Sequence, residues 1–148
     1  MFTCEQHVNL TTFMNTLRNI IAIDCVPVTS LTGYKRISEL FAQVDDRTPW
    51  QSLPIKVPAR LKISDKIEDG VRIYTAQLVF RTCEEKKDLK RLAYRCCTAS
   101  GKYLLIGTPE RPYPVSTVTQ NHPDNMTDNQ LDEVTVSYTS ATRIPYIY

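Results

Sequence analysis

Residues 60–97 read RLKISDKIEDGVRIYTAQLVFRTCEEKKDLKRLAYRCC, and how this stretch folds decides the fold of the chain. Arg60-Leu61-Lys62-Ile63-Ser64 alternates polar with apolar residues, the period of a half-buried strand. Asp69-Gly70 follows, a dipeptide that tolerates the positive φ angles of a tight hairpin turn. Residues 71–82 then form a second strand whose apolar positions change phase, from Val71 and Ile73 to Tyr74, Ala76, Leu78 and Phe80. That change predicts either a bulge or burial on both faces. Thr82-Cys83-Glu84-Glu85 fits a helix capping box. Leu89, Leu92, Ala93, Cys96 and Cys97 recur at helical spacing, so the pattern predicts a helix over about 83–97, stopped by Gly101.

Working outward, residues 19–28 read as a strand, because isoleucine fits a pleated surface better than a helix. A rival short helix would start at Thr11 or Thr12 and present Phe13, Met14, Leu17 and Ile21. Residues 30–58 are least patterned, with Ile37, Leu40, Phe41 and Val44 spaced for one or two helical turns. Trp50, the sole tryptophan, reads as a plug over one end of the core. Further strands are expected at 102–107, 115–120 and 131–139, the last with Val134, Val136 and Tyr138 inward. The three prolines at 109, 112 and 114 make a stiff loop, and 121–130 is turn-forming. The expected class is α+β, mainly β: an antiparallel sandwich or partly open barrel with the one helix packed on a face. A single domain over 1–148 is expected, with a tail at 140–148 that can extend.

Composition excludes several functions. A formal charge of +2 over 148 residues does not imply nucleic acid as the main partner. No apolar run nears the roughly 20 residues of a membrane span, and polar residues interrupt the N-terminal stretch where a signal peptide would be apolar. A cytoplasmic chain is expected. Five cysteines without a CxxC spacing, and two distant histidines, argue for packed thiols and against zinc. Asp65, Glu68 and Asp69 cluster where a turn needs them, and the lone Gly107 cannot supply a phosphate cradle. The expectation is no enzyme, no cofactor and no metal. Two glycosylation sequons, at Asn9 and Asn125, carry no weight without a secretory signal.

Tyr103-Leu104-Leu105-Ile106-Gly107-Thr108, Glu110-Arg111-Pro112-Tyr113-Pro114 and Glu133-Val134-Thr135-Val136-Ser137 give the C-terminal half its character. In these features it resembles small phage and prophage proteins of Bacteroidota, similar in layout to head–tail connector and tail components. The resemblance implies a virion structural protein, made in the bacterial host cytoplasm and built from a homo-oligomeric ring or contacts with other virion proteins. Expected protein contacts are Arg111, Pro112 and Tyr113 in the loop and Tyr146, Ile147 and Tyr148 in the apolar tail. The alternative is nucleic-acid binding through Lys86, Lys87, Lys90 and Arg91 on the basic side of the helix, where Arg95 also falls. A third reading, a small hydrolase or ligand-binding domain, would need a pocket around His122 and acidic groups.

Overall fold

The computed structural model describes residues 13–82, 91–119 and 132–147. They form one open sheet, mainly β as expected. In chain order the strands are β1 (Phe13–Pro27), β2 (Lys35–Arg36), β3 (Phe41–Gln43), β4 (Gln51–Leu53), β5 (Ala59–Glu68), β6 (Val71–Thr82), β7 (Leu92–Thr98), β8 (Tyr103–Ile106), β9 (Val115–Thr119), β10 (Asp132–Ser140) and β11 (Tyr146–Ile147), with a 3-10 turn at Val28–Ser30. The spatial order is β2-β3-β11-β8-β7-β1-β5-β6-β10-β9, with β4 paired to β1 off this path. Every described pairing is antiparallel except β11 with β3.

The β5–β6 hairpin forms where the sequence places it. Glu68 pairs with Val71, and the turn between them carries Asp69 at φ 53 and Gly70 at φ 79. Both φ values are positive, which suits Asp-Gly and few other dipeptides. The phase change in β6 has a simpler cause than a bulge. Its register against β5 runs unbroken from Val71 to Val79, and the odd residue Val71 faces solvent. The even residues Ala76, Leu78 and Phe80 are buried once the strand reaches the core. The inward set on β10 is Val134, Val136 and Tyr138, as the alternation predicts.

The described part of the helix expected over 83–97 is a strand. Residues 83–90 lie outside the described residues, Arg91 turns at φ 58, and residues 92–98 are β7. This strand is interior, flanked by β1 and β8, and mostly buried on both faces, with Arg95 the one charge on the reverse face. Leu92, Tyr94 and Cys96 enter the main core, whereas Ala93 enters a second cluster on the reverse face. A strand buried on both sides reads as a continuous apolar run, which also satisfies helical spacing. The Thr82 hydroxyl of the supposed cap donates to the Pro54 carbonyl at 2.6 Å.

Two further expectations change. The helical turns at Ile37, Leu40, Phe41 and Val44 are instead the β2–β3 hairpin, in which the Ile37 and Ser38 amides both donate to the Phe41 carbonyl. The strand expected at 19–28 is longer, since β1 takes in the residues of the rival helix from Phe13. Its register against β7 shifts between Ile20 and Ala22, a bulge at Ile21. On one side, β1 pairs with β5 before the bulge and with β4 after it.

The sheet curls so that its two halves face each other. Tyr94 of β7 packs on Phe80 of β6, ring centroids 6.4 Å apart, and its hydroxyl shares a 2.9 Å hydrogen bond with Ser116 of β9. Strands β1, β5, β6 and β10 separate β7 from β9 along the sheet, so only curvature brings the two together. The main core fills the space between the halves. The second cluster, built on Val26, Ala93, Leu105 and Ile147, is covered by Tyr34, Val44, Trp50 and Tyr113. Trp50 therefore plugs this reverse face.

Candidate interaction surface

The two ends of the sheet differ in a way that matters for contact. One ends in β2, two residues long and charged throughout. The other ends in β9, whose five residues, Val115-Ser116-Thr117-Val118-Thr119, carry no charge. Among the described residues β9 pairs only with β10, from Glu133↔Thr119 to Ser137↔Val115. No other described strand pairs with its second edge. Val115 is 62% exposed and Val118 43%. Short, charged edges resist stray pairing, and a longer uncharged β-branched edge invites it.

The chain segment before β9 holds that edge in place. Thr108 bridges the loop, its hydroxyl donating to the Glu110 carbonyl and accepting from the Glu110 amide. Tyr113 packs on the second cluster, and Pro114 is buried. Gly107 sits at φ 112 where a Cβ would come within 3.2 Å of Ala93 and 3.1 Å of Pro114, so the approach to the loop requires glycine. The Ser116–Tyr94 bond then ties the middle of β9 to the core. The edge is a fixed template.

The structure separates the residues singled out in the sequence. Arg111 and Pro112 are exposed at the turn leading into β9, whereas Tyr113 is half-buried. Tyr146 and Ile147 lie on the far side of the sheet, in β11 between β8 and β3 of the same chain. Ile147 is buried there and Tyr146 half-buried, so the tail covers its own domain. Tyr148, Lys86, Lys87, Lys90 and His122 lie outside the described residues. Arg91 has its guanidinium 5.7 Å from the Tyr113 ring centroid. No family model, curated protein or solved structure matches the chain.

Arg95 does not belong to a basic face. It opposes Asp24 across β7 and β1, and its Nε and Nη2 both donate to Asp24 Oδ2 at 3.0 and 2.7 Å. The guanidinium also lies over the rings of Trp50 at 4.7 Å and Tyr103 at 5.2 Å. This is a half-buried ion pair roofed by aromatics, and it locks Trp50 over the second cluster. Sequence spacing could not reveal it, because Asp24 and Arg95 meet only through strand register. The acidic turn residues serve the hairpin: Asp65 is buried and bonds Arg72, and Glu68 lies 3.5 Å from Lys66.

Thiol and phenol chemistry is suppressed in the core. Burial pushes the Cys96 thiol far above its ordinary range, with the nearby Asp24 charge adding to the effect. Burial also pushes the Tyr94 hydroxyl up to about 12, against a smaller opposing effect of the Ser116 bond. The described residues hold no group of three or more His, Cys, Asp and Glu placed for a metal. No helix among them is long and apolar enough to cross a membrane. The Tyr94 shift has a measurable consequence. Above pH 10 the unfolded chain loses this proton while the folded chain keeps it to about 12. Stability should therefore fall with rising pH in that window, by roughly 1.4 kcal/mol per pH unit from this group. Urea titrations at pH 9.5 and 11 on the wild type and Tyr94→Phe check this, since the variant should lack that part of the loss.

Proposed function

We propose that this protein is a non-enzymatic assembly protein that joins copies of itself through the free edge of β9, with the Arg111-Pro112 turn beside it in the contact. The observation that carries the reading is the contrast between an uncharged, pinned, five-residue edge and a two-residue charged edge at the other end. Edge-to-edge pairing supplies affinity through backbone bonds and selectivity through alternate side chains. An antiparallel β9–β9 pair around a two-fold axis places Val115 opposite Thr119 and Ser116 opposite Val118. A larger ring needs a second surface, for which the exposed Arg111-Pro112 turn is our choice. The finer form of the proposal is a phage or prophage virion component of the head–tail connector or tail, supported by the resemblance of the C-terminal half. We also read the curled sheet as a partly open barrel, on the contact between β7 and β9.

Light scattering across concentration tests the reading. The expected mass exceeds that of the 17.0 kDa chain and rises with concentration. Val115→Lys with Val118→Lys should return it to one chain with at most a small fall in melting temperature, because Val115 is 62% exposed on the outer face and Val118, on the face of Ser116, is still 43% exposed. A single-chain mass at every concentration, or association untouched by the two lysines, overturns the proposal.

Nucleic-acid binding remains the second reading, and one observation favours it on a new face. Arg60 and Lys62 of β5 point to solvent beside a cleft of ≈ 350 Å³ lined by Lys56, Arg60 and Arg81, with Glu133 opposing only Arg81 at 3.6 Å. Phosphate contacts there would give affinity that falls steeply with salt.

A further inference from the structure

The two halves of the curled sheet differ in what lies on their outer side. Tyr34, Val44, Trp50 and Tyr113 pack there on residues of β1, β7, β8 and β11, whereas the outer side of β5 is exposed. Strand register builds two rows across it. Asn19, Arg60, Val79 and Thr135 form one, and Leu17, Lys62, Gln77 and Ser137 form the next. Arg60 and Lys62 stand in the middle of these rows, on the face opposite the buried Ala59 and Leu61.

The charge on this face is one-sided. Its described carboxylates on β5, β6 and β10 are already matched: Glu133 lies 3.6 Å from Arg81, and Glu68, at the hairpin end, lies 3.5 Å from Lys66. Arg60 and Lys62 have no ion-pair partner among the described residues. Neither has Lys56, which lines the cleft of ≈ 350 Å³ together with Arg60. Three cations without counter-charge, among the neutral donors of Asn19, Gln77, Thr135 and Ser137, match the chemistry of a phosphate chain.

The two rows hold no aromatic ring on which an unpaired base could stack, and such rings are the anchors of single-strand binding. A duplex keeps its bases stacked and needs none. From β1 to β10 the rows cross three strand spacings, about 14 Å between backbones, and a major groove of roughly 12 Å admits only a two-stranded ribbon. The face therefore stays on the phosphates. We propose that it binds the phosphate backbone of a nucleic-acid duplex through Lys56, Arg60 and Lys62, without reading base sequence. This rests on the nucleic-acid reading above and is independent of assembly through β9.

Fluorescence anisotropy of a short labelled DNA duplex, titrated with the full chain at several salt concentrations, tests it. The slope of log affinity against log salt should be about −2.7, three phosphates at about −0.9 each. Arg60→Gln with Lys62→Gln should bring the slope to about −0.9 and weaken binding by roughly tenfold or more at low salt. Lys35→Gln with Arg47→Gln removes the same charge from exposed positions outside the rows, and should weaken binding by less than about threefold. All four positions are exposed, so both variants should fold and keep the light-scattering mass of the wild type. A duplex of different sequence and an RNA duplex of the same length should bind within a few fold, and a single strand more weakly. No binding to any duplex at low salt overturns the proposal together with the nucleic-acid reading. Binding that Arg60→Gln with Lys62→Gln leaves unchanged overturns the proposal and leaves that reading standing. Tighter binding of the single strand, or a strong preference for one duplex, overturns backbone recognition of a duplex.

Discussion

Replacing Tyr94 with alanine should lower the free energy of unfolding by about 3–5 kcal/mol, the range for truncating a large buried ring. Tyr94 is fully buried, packs against Phe80, and bonds Ser116 across the curl of the sheet. It therefore joins the interior strand β7 to both β6 and β9. On a helix with the stripe Leu92, Ala93, Cys96 and Cys97, position 94 would face away from the core and the same change would cost little. The substitution thus discriminates the strand from the helix. Tyr94→Phe should cost only about 1 kcal/mol, the lost hydrogen bond alone. Urea midpoints of the three proteins provide the comparison, and an unchanged midpoint for Tyr94→Ala would return residues 92–97 to a helix.

Removing residues 144–148 should have an effect of similar size, about 3–6 kcal/mol, from burial of Ile144 and Ile147 at about 1.5–3 kcal/mol each. The tail is also stitched in by its backbone. The Tyr146 amide donates to the Leu40 carbonyl at 2.7 Å, and the Leu105 amide donates to the Pro145 carbonyl at 3.0 Å. With β11 gone, β8 becomes an edge and β2–β3 loses its attachment to the sheet. Thermal unfolding of the truncated chain should show a large drop in melting temperature. Association through β9 should persist in whatever fraction stays folded, because β9 lies at the opposite end of the sheet. An unchanged melting temperature would contradict the place of β11 in its own sheet.

Local signals fixed the parts of the fold that local physics controls. Asp69-Gly70 between two alternating runs specifies a two-residue hairpin, and β5–β6 has that turn. Val134, Val136 and Tyr138 show a period of two because β10 buries one face. Legibility failed where both faces are buried. In β7 apolar residues occupy both faces, at Leu92, Ala93 and Tyr94 and again at Cys96 and Cys97, and helical spacing is satisfied by accident. It failed also between 30 and 58, where β2, β3 and β4 are two or three residues long and too short to show any period. Those strands exist because neighbours hold them.

The candidate surfaces depend on topology even more. Val115 to Thr119 reads as a strand, but nothing local says that it ends the sheet. The pairing of Asp24 with Arg95 and the row that sets Asn19 beside Arg60 both follow from registers of β1 against strands distant in sequence. The loop residues Arg111 and Pro112 were visible as a stiff, exposed segment from their prolines. The tail's apolar character was visible too. Its role as an interior strand emerges only from its two partners, β8 and β3.

Hydrogen exchange of the β9 backbone amides, compared in dilute and concentrated solution, tests assembly through this edge most directly. The outward-facing amides of Val115–Thr119 should exchange fast when dilute and become protected over the concentration range in which the light-scattering mass rises, while Lys35 and Arg36 on the opposite edge stay unchanged. Exchange in β9 that does not depend on concentration, while the mass rises, would contradict the account.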